Sequence, residues 1–224
     1  MDVYSYPKPL RIPIGKRIGH KKYMSEDSVR RLFEGNVVVE EKMDGKQSFI
    51  ETRDYVLWVE DLRFKHSLLY HIPCRYALFD VYEKRTGRFL SPESKLGLWL
   101  DKIRKHKIDI PENVHIFPVP VVKKLYGPDF GKDIDGWERS IPSLITTSFY
   151  AVGKDNTNAF MEGIVIKQDR SLYSFEVEHA KLVREEFVEG ITRNYLEKPY
   201  ELNKIDLNVP VLLSYETWER ISLY

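Results

Sequence analysis

The stretch NVVVEEKMDG, from Asn36 to Gly45, indicates a buried strand that ends in a lysine and a tight turn. Its apolar, β-branched start predicts a strand over 36–41, and the Asp44-Gly45 pair is typical of a turn before a second strand. Lys42 lies between the strand and the turn. The pattern therefore presents one amine at a rigid strand end, and such an amine is a nucleophile once it is deprotonated.

Strand and helix signals continue on both sides of Lys42. Alternation and turn residues predict further strands, over 47–52, 55–60, 76–82, 114–122, 163–168 and 174–177. Capping residues predict helices that begin after Ser25 and Ser91, and a third helix is expected within 135–146. Antiparallel-looking strands with a few helices predict the α+β class.

Length and composition fit a globular protein with one large domain or two small ones, since 42% of the 224 residues are hydrophobic and 13% are aromatic. Cys74 is the only cysteine, which excludes an intrachain disulfide, and its turn-like context argues against a catalytic thiol. No apolar run approaches the ~20 residues of a membrane span, and the first residues lack a signal-peptide core. We therefore expect a soluble, cytoplasmic protein with no membrane partner.

The formal net charge is only +1, so total charge does not indicate a nucleic-acid partner. The charge is nevertheless unevenly distributed. Residues 3–25 contain no acid but several basic side chains, namely Lys8, Arg11, Lys16, Arg17, Lys21 and Lys22. This basic segment is either a solvated loop or a surface that contacts a polyanion.

Two later stretches place charged residues at strand ends. In EGIVIK, an acid opens an apolar strand and a lysine closes it, and alternation puts Glu162 and Lys167 on opposite faces. KLVR, from Lys181 to Arg184, adds two cations. Taken singly, the first stretch is typical of an amphipathic edge strand and the second of a basic surface patch.

Taken in order, these stretches resemble motifs of the covalent lysyl-nucleotidyltransferase superfamily, which contains ATP-dependent polynucleotide ligases and mRNA capping enzymes. Lys42-x-Asp44-Gly45 is similar to motif I, the stretch 162–167 to motif IV, and the stretch 181–184 to motif V. The strand from Tyr76 to Tyr82 is similar to motif IIIa. The stretch from Glu60 to Tyr70 resembles motif III as it occurs in RNA ligases. The resemblance spans residues 36–187 and points to a minimal, single-domain ATP-dependent RNA ligase.

The resemblance implies a nucleotidyltransferase (adenylation, ATP-grasp-like) domain of antiparallel sheets flanked by helices. We expect this domain to occupy residues 1–190 and a short C-terminal extension to occupy 191–224. The extension is too short for the complete oligonucleotide-binding domain that DNA ligases and capping enzymes append. The resemblance therefore implies that the extension, or a partner protein, does the work of that domain.

The chemistry implied by the resemblance begins at Lys42. Its amine attacks the α-phosphate of ATP to form lysyl-AMP, the AMP passes to an RNA 5′-phosphate, and the RNA 3′-hydroxyl is then joined. A free lysine has a pKa near ~10.4, so it needs help to be neutral. Lys167, Lys181 and a bound Mg²⁺ (or Mn²⁺) are expected to lower that pKa and to neutralise charge on the phosphate.

The resemblance also implies roles for the remaining site residues. Asp44 and Gly45 form the turn of the nucleotide site, and Glu162 organises the metal. Other predicted contacts are Glu60 with the ribose, Phe79 stacked on adenine, Glu41 at the adenine edge, and Arg53, or its competitor Arg63, with phosphate or the RNA 5′ end. Alternation places Ala77, Phe79 and Val81 on one face of their strand.

The sequence departs from the family pattern in two places. Val59 stands where motif III has a glycine, and Val183 stands where motif V of ligases has a second lysine. Either Arg184 replaces that lysine or the contact is absent, and arginine is no equivalent of lysine. Two alternatives therefore stay open: a guanylyltransferase that uses GTP, and a non-catalytic RNA-binding module that keeps the fold.

Overall fold

The computed structural model describes residues 6–14, 21–130, 140–153, 158–173, 176–177, 179–185, 187 and 201–212. These residues form a mixed α+β fold of mostly antiparallel strands with few helices, as the sequence predicts. The strands are β1 Leu10–Arg11, β2 Asn36–Glu41, β3 Lys46–Glu51, β4 Tyr55–Asp61, β5 Leu69–Ile72, β6 Tyr76–Glu83, β7 Arg88–Phe89, β8 Ile116–Pro118, β9 Val121–Tyr126, β10 Thr147–Val152, β11 Asn158–Phe160, β12 Gly163–Gln168, β13 Leu172–Tyr173, β14 Ala180–Val183 and β15 Lys204–Ile205.

The strands are arranged in three sheets. The first sheet has the order β1-β14-β12-β2-β9, and the second has the order β13-β7-β6-β4-β3 with β8 beside β6. The third is smaller, with the order β11-β10-β5-β15. The two strands before and after Lys42, β2 and β3, therefore belong to different sheets.

Two capped helices cover the outer faces of the large sheets. Helix α1, Glu26–Leu32, and helix α2, Pro92–Leu98, begin where predicted, because the side chains of Ser25 and Ser91 each accept an N–H three residues on. Helix α2 continues into a π-helical turn, Trp99–Ile103. Short 3₁₀ turns occur at Gly127–Phe130 and Pro142–Leu144.

Each large sheet has an apolar outer face. Val37, Val39, Ile164 and Ile166 of the first sheet pack with residues of α1. Leu57, Val59, Leu78 and Val81 of the second sheet pack with Trp99 and Ile103. The facing surfaces combine apolar residues, such as Val56 and Trp58, with charge. The ammonium of Lys167 on the first sheet lies 3.1 Å from the carboxylate of Asp80 on the second.

A β-bulge in the second sheet changes which way Phe79 faces. Trp58 pairs with Asp80 and Val59 pairs with Leu78, so Phe79 is the extra residue. Phe79 therefore packs with Tyr82 on the inner face, whereas Val81 packs with Leu78 on the outer face. The prediction that Val81 shares a face with Phe79 is wrong, because simple alternation fails across a bulge.

Three predicted elements differ from the structure. The segment 114–122 divides into β8 and β9 of different sheets, since proline cannot donate to a continuous ladder. Strand β12 pairs with β14 and β2, and the predicted strand over 174–177 does not form at 176–177, while 174–175 lie outside the described residues. Of the helix expected within 135–146, residues 135–139 also lie outside, and the described part holds the 3₁₀ turn Pro142–Leu144.

Both terminal segments pack on the sheets. In the N-terminal segment, residues 6–14, β1 pairs in parallel with β14 and sets Arg11 opposite Lys181. In the C-terminal segment, residues 201–212, β15 pairs in parallel with β5. Within the described ranges, no helix is long and apolar enough to cross a membrane.

Candidate active site around Lys42

Lys42 lies at the end of β2, where its main chain and side chain meet the start of β12. Its N–H donates to the carbonyl oxygen of Gly163 at 3.0 Å, and its ammonium Nζ donates to Glu162 Oε2 at 2.6 Å. The side chain of Lys42 is 25% exposed and that of Glu162 is 6% exposed. The stretches that resemble motif I and motif IV therefore meet in one ion pair, and the Lys42 side chain stays accessible to a ligand.

Gly163 allows the strands to approach this closely. A Cβ atom at Gly163 would lie 2.1 Å from the carbonyl oxygen of Leu182 on β14. Only glycine fits a backbone contact of this kind. The glycine next to Glu162 is thus required by the packing of β12 against β14.

The turn after Lys42 is held by residues of the predicted motif III stretch. The Asp44 N–H donates to the Tyr70 hydroxyl at 3.0 Å, and Asp44 Oδ2 accepts the Ser67 N–H at 2.6 Å. The Gly45 N–H donates to Glu60 Oε1 at 3.0 Å. Glu60 is thereby fixed beside the lysine turn, as the resemblance implies for an acid of the nucleotide site.

Carboxylates dominate the electrostatics around Lys42. Burial acts to lower the pKa of Lys42, but Glu162, Glu60 and Asp44 raise it above its ordinary value. Burial raises the pKa of Glu60 to about 7 and also raises the pKa of Glu162, although Lys42 opposes both shifts. The prediction of a lowered Lys42 pKa is therefore contradicted by the acids that surround the amine.

Lys181 approaches the same site from β14. It pairs across the sheet with Val165 of β12, and burial together with the nearby charges of Lys42 and Arg11 lowers its pKa to about 8. The charges of Glu162 and Lys21 also act on Lys181. Lys181 and part of the basic N-terminal segment thus converge with Lys42, while residues 15–20, which include Lys16 and Arg17, lie outside the described residues.

Lys167 lies elsewhere, buried between the two large sheets. Its ammonium is 2.8 Å from Glu40 Oε2, 3.1 Å from Asp80 Oδ2 and 2.5 Å from the Phe79 carbonyl oxygen. Burial acts to lower the pKa of Lys167, but Asp80 and Glu40 raise it. Its charge is paired locally with two carboxylates, and its effect on the pKa of Lys42 stays a prediction.

The Lys167 pairs belong to a larger buried cluster, which we call the inter-sheet network. Lys95 of α2 donates to Glu40 and, at 3.0 Å, to the Phe79 carbonyl oxygen. The Tyr6 hydroxyl donates to Asp80 and lies 2.9 Å from His179 Nδ1. The members are Tyr6, Glu40, Asp80, Lys95, Lys167 and His179, all nine-tenths or more buried.

Phe79 borders this network, whereas Glu41 lies on the opposite face of β2 from Glu40. The Phe79 ring is half-buried, with the Tyr6 ring edge-on at 5.0 Å and the Lys167 ammonium 5.8 Å from its centroid. Glu41 accepts the Ser148 hydroxyl and, at 3.1 Å, the Phe149 N–H, and burial raises its pKa to about 7. An adenine edge at Glu41 would therefore share the carboxyl group with Ser148 and Phe149.

Arg53 is not brought to Lys42. It lies in the turn after β3, where its N–H donates to Asp109 at 2.8 Å. Glu60 lies at the other end of the hairpin, about 14 Å or more away at ~3.4 Å per strand residue. The prediction that Arg53 contacts phosphate in this site is wrong, because Arg53 lies at the far end of the β3–β4 hairpin.

The competing candidate, Arg63, lies closer to the site along the chain. It follows Glu60 by three residues and is exposed.

The inter-sheet network contains the residues that the sequence analysis missed. Lys95 precedes Trp99 and Ile103 by one and two helical turns, so a lysine on the apolar stripe of α2 was the available signal. Nothing in the local sequence marks Tyr6, Glu40 or His179 as members of the network, because their contacts join distant parts of the chain.

The thiol of Cys74 is unsuited to catalysis, as the sequence predicts. Burial raises the pKa of this thiol to about 12.

The donor set around Lys42 can be compared with the needs of Mg²⁺. Within the described residues, no group of three or more His, Cys, Asp or Glu side chains could hold a metal ion. Mg²⁺ is usually bound by one or two carboxylates together with substrate phosphates and water. Glu162, beside Lys42, fits that shared mode as the single protein carboxylate.

Comparison with solved structures shows a weak likeness to part of a larger chain. No protein-family model and no curated protein sequence matches the chain. Among solved structures, a chain described as "Putative ATP-dependent DNA ligase from Aquifex aeolicus" aligns with a TM-score of 0.43 and 18% identity, over 80% of this chain and 49% of that chain. The chain thus spans about half the length of that protein. A likeness this weak assigns no activity to the chain.

Proposed function

We propose that this chain is an ATP-dependent RNA ligase of the lysyl-nucleotidyltransferase type, with Lys42 as the nucleophile. The observation that carries the proposal is the convergence of Lys42, Glu162, Glu60 and Lys181 on one strand end, with Lys42 Nζ 2.6 Å from Glu162 Oε2. An amine, a proton acceptor, a second acid and a further cation would then surround a nucleotide bound between the sheets.

In the proposed first step, the Lys42 amine forms a bond to the α-phosphorus of ATP as the bond to the β-phosphate oxygen breaks. Pyrophosphate leaves, and a lysine phosphoramidate of AMP remains. The proton of the ammonium passes to Glu162, whose raised pKa makes it a better acceptor than an ordinary carboxylate. Mg²⁺ would supply charge neutralisation on the phosphates, and Glu162 would hold it through water.

The other side chains would bind and orient the nucleotide. Phe79 would stack on adenine from the inner face of the second sheet, and Glu41 would contact the adenine edge. Glu60 would hold the ribose, and the turn at Asp44 and Gly45 would line the same pocket. Lys181, with its pKa lowered to about 8, would bind phosphate beside Lys42 and Arg11.

The next two steps would use RNA ends. The AMP would pass to an RNA 5′-phosphate, and the 3′-hydroxyl of a second end would then displace AMP. The cations Arg11, Lys21 and Lys181 would attract the 5′ end. Residues 1–190 would form the adenylation domain, with the extension 191–224 or a partner protein replacing an appended domain. Such a protein would work in the cytoplasm.

Labelling with ATP tests the proposal. The parent chain, incubated with α-labelled ATP and Mg²⁺, should become covalently labelled, and Lys42→Ala should lose the label entirely. Lys84→Ala is the matched control, because Lys84 is a lysine paired with an exposed acid, Glu51, at the far end of the second sheet. Equal labelling of Lys42→Ala and the parent would sink the proposal, and label from GTP alone would instead indicate a guanylyltransferase.

The ion pair at Lys42 also favours a second candidate, a non-catalytic RNA-binding module. A lysine whose pKa is raised by three acids stays protonated, and Val183 removes one cation of the motif that would oppose them. RNA binding by the parent chain without any nucleotide adduct, at any divalent metal concentration, would favour this candidate.

A further inference from the structure

An exposed aromatic ring lies beside the candidate active site and is not used by the proposed chemistry. Phe160 ends β11 and is 58% exposed, although it is a large apolar residue. The Arg184 guanidinium lies over its ring, 5.3 Å from the centroid, and also lies 5.1 Å from the centroid of Phe187. We call Phe160, Arg184 and Phe187 the aromatic platform.

The platform is tied to the backbone of the site. The Arg184 N–H donates to the Glu162 carbonyl oxygen at 3.0 Å, and its Nη1 donates to the Met161 carbonyl oxygen at 3.4 Å. These two acceptors lie in the chain between Phe160 and the start of β12. The guanidinium is therefore held over Phe160, which precedes Glu162 by only two residues, about 7 Å of extended chain.

The chemistry of the platform suits an unpaired nucleobase. Bases stack on aromatic rings and on guanidinium planes, and such stacking tolerates any base because every base has a π-face. The neighbouring cations suit the phosphates of the same strand, since Arg11 and Lys21 act on Lys181 across the site. A flat ring, a planar cation and a basic edge thus occur together next to Lys42.

We infer that the aromatic platform stacks an unpaired base at the RNA 5′ end that is presented to Lys42. This inference rests on the proposed function, since it assigns a substrate contact to the same site. Phe160 binds the base through its exposed ring, and Arg184 fixes that ring and extends the stacking surface. The platform would make the protein prefer a single-stranded RNA end over the interior of a duplex, where bases are already stacked and paired.

Binding of a short 5′-phosphorylated RNA whose first base is 2-aminopurine tests the inference. Stacking quenches this base, so both affinity and quenching are read in one titration without ATP. Phe160→Ala should weaken binding about tenfold and relieve the quenching, as expected for one lost base stack. Phe160→Trp should bind like the parent, because it keeps a stacking ring.

Tyr126→Ala is the matched control. Tyr126 is also an aromatic residue with 58% exposure on the first sheet, but it pairs with Asn36, at the opposite end of β2 from Lys42. This variant should bind the RNA like the parent. Equal affinity of Phe160→Ala and the parent, or an equal loss in Tyr126→Ala, overturns the inference.

The titration separates this inference from the proposed function. The titration contains no ATP, so its result does not depend on whether Lys42 forms an adduct with ATP. An equal Phe160-dependent loss on a DNA strand of the same sequence supports the platform and overturns RNA as the preferred polymer. Unchanged quenching together with normal ATP labelling overturns the platform and leaves the ligase proposal standing.

Discussion

Glu41 shows at the scale of one residue how burial in this site governs protonation. Its carboxyl group is buried beside Ser148 and Phe149 of β10, and burial raises its pKa from its ordinary 4.5 to about 7. In the folded chain Glu41 therefore holds a proton at pH values where the unfolded chain has already lost it. Keeping this carboxyl group buried costs most when the group is ionised.

The sign of the pH dependence follows from this shift. Between the ordinary pKa and about 7, the folded state binds more protons than the unfolded state, so stability falls as pH rises. We expect the free energy of unfolding of the parent, relative to Glu41→Gln, to drop by about 3 kcal/mol between about pH 4 and about pH 8. Urea unfolding at several pH values measures this difference.

The control for Glu41→Gln is Glu34→Gln, which removes an exposed carboxylate just before β2. This variant makes the same chemical change at the surface instead of in the buried site. A parent-minus-Glu41→Gln difference that is flat, or that rises with pH, would show that Glu41 is ionised in the folded chain.

The sequence predicted which residues lie close together better than it predicted their protonation. Lys42, Glu60, Glu162 and Lys181 come together as the motif order predicts. The raised pKa of Lys42 could not be predicted, because it depends on which charges lie closest, and strand alternation gives a face but not a partner. Lys167 illustrates this, since its nearest acids come from β2 and β6.

At the scale of elements, helix α2 is attached to the sheets by a buried ion. Lys95 lies on the inward face of α2, donates to Glu40 and to the Phe79 carbonyl oxygen, and is 3% exposed. Burial lowers the pKa of Lys95, and its attraction to Glu40 opposes that shift. The helix therefore contributes a charge to the space between the sheets as well as apolar contacts to the outer core.

Lys95→Ala should destabilise the protein by about 3–5 kcal/mol, because it leaves part of a buried ion pair without its partner. Lys105→Ala is the control, since Lys105 follows the same helical segment but pairs with exposed Asp101 at 3.7 Å. Its loss should cost less than about 1 kcal/mol. Guanidinium unfolding of both variants measures the contrast, and equal losses would contradict a structural role for the buried pair.

The sequence predicted those helices and strands whose ends depend on interactions between residues close together in the chain. Ser25 and Ser91 cap helices as expected, since capping needs only residues within one turn. The bulge at Phe79 and the pairing of β12 with β14 could not be predicted, because each depends on register with a distant strand. The prolines at 118 and 120 signalled a break, but not that the two halves would join different sheets.

At the scale of the whole molecule, the C-terminal segment supports the lysine turn through a chain of contacts. Asn203 Oδ1 accepts the Tyr70 N–H at 2.9 Å, and its Nδ2 donates to the Leu62 carbonyl oxygen at 2.7 Å. The Tyr70 hydroxyl in turn accepts the Asp44 N–H. Residues of the predicted extension are thus packed against the lysine turn and its supporting strands, and within residues 201–212 they are part of the same fold.

Asn203→Ala should cost about 2–4 kcal/mol of stability, because two buried backbone groups lose their hydrogen-bond partner. Asn208→Ala is the control, since Asn208 is exposed and its side chain donates to Asp206. Thermal unfolding measures both variants. A loss in Asn203→Ala no larger than that in Asn208→Ala would show that the C-terminal segment is dispensable.

The inter-sheet network should also affect how the stability of the fold depends on temperature. The two large sheets meet through lysines and carboxylates, Lys95 and Lys167 with Glu40 and Asp80, where most cores have only apolar side chains. The cost of removing ions from water falls as temperature rises, whereas the apolar contribution levels off. The junction between the sheets should therefore weaken less on warming than the two outer cores. Warming should loosen α1 and the outer faces first and leave the two large sheets joined for longest.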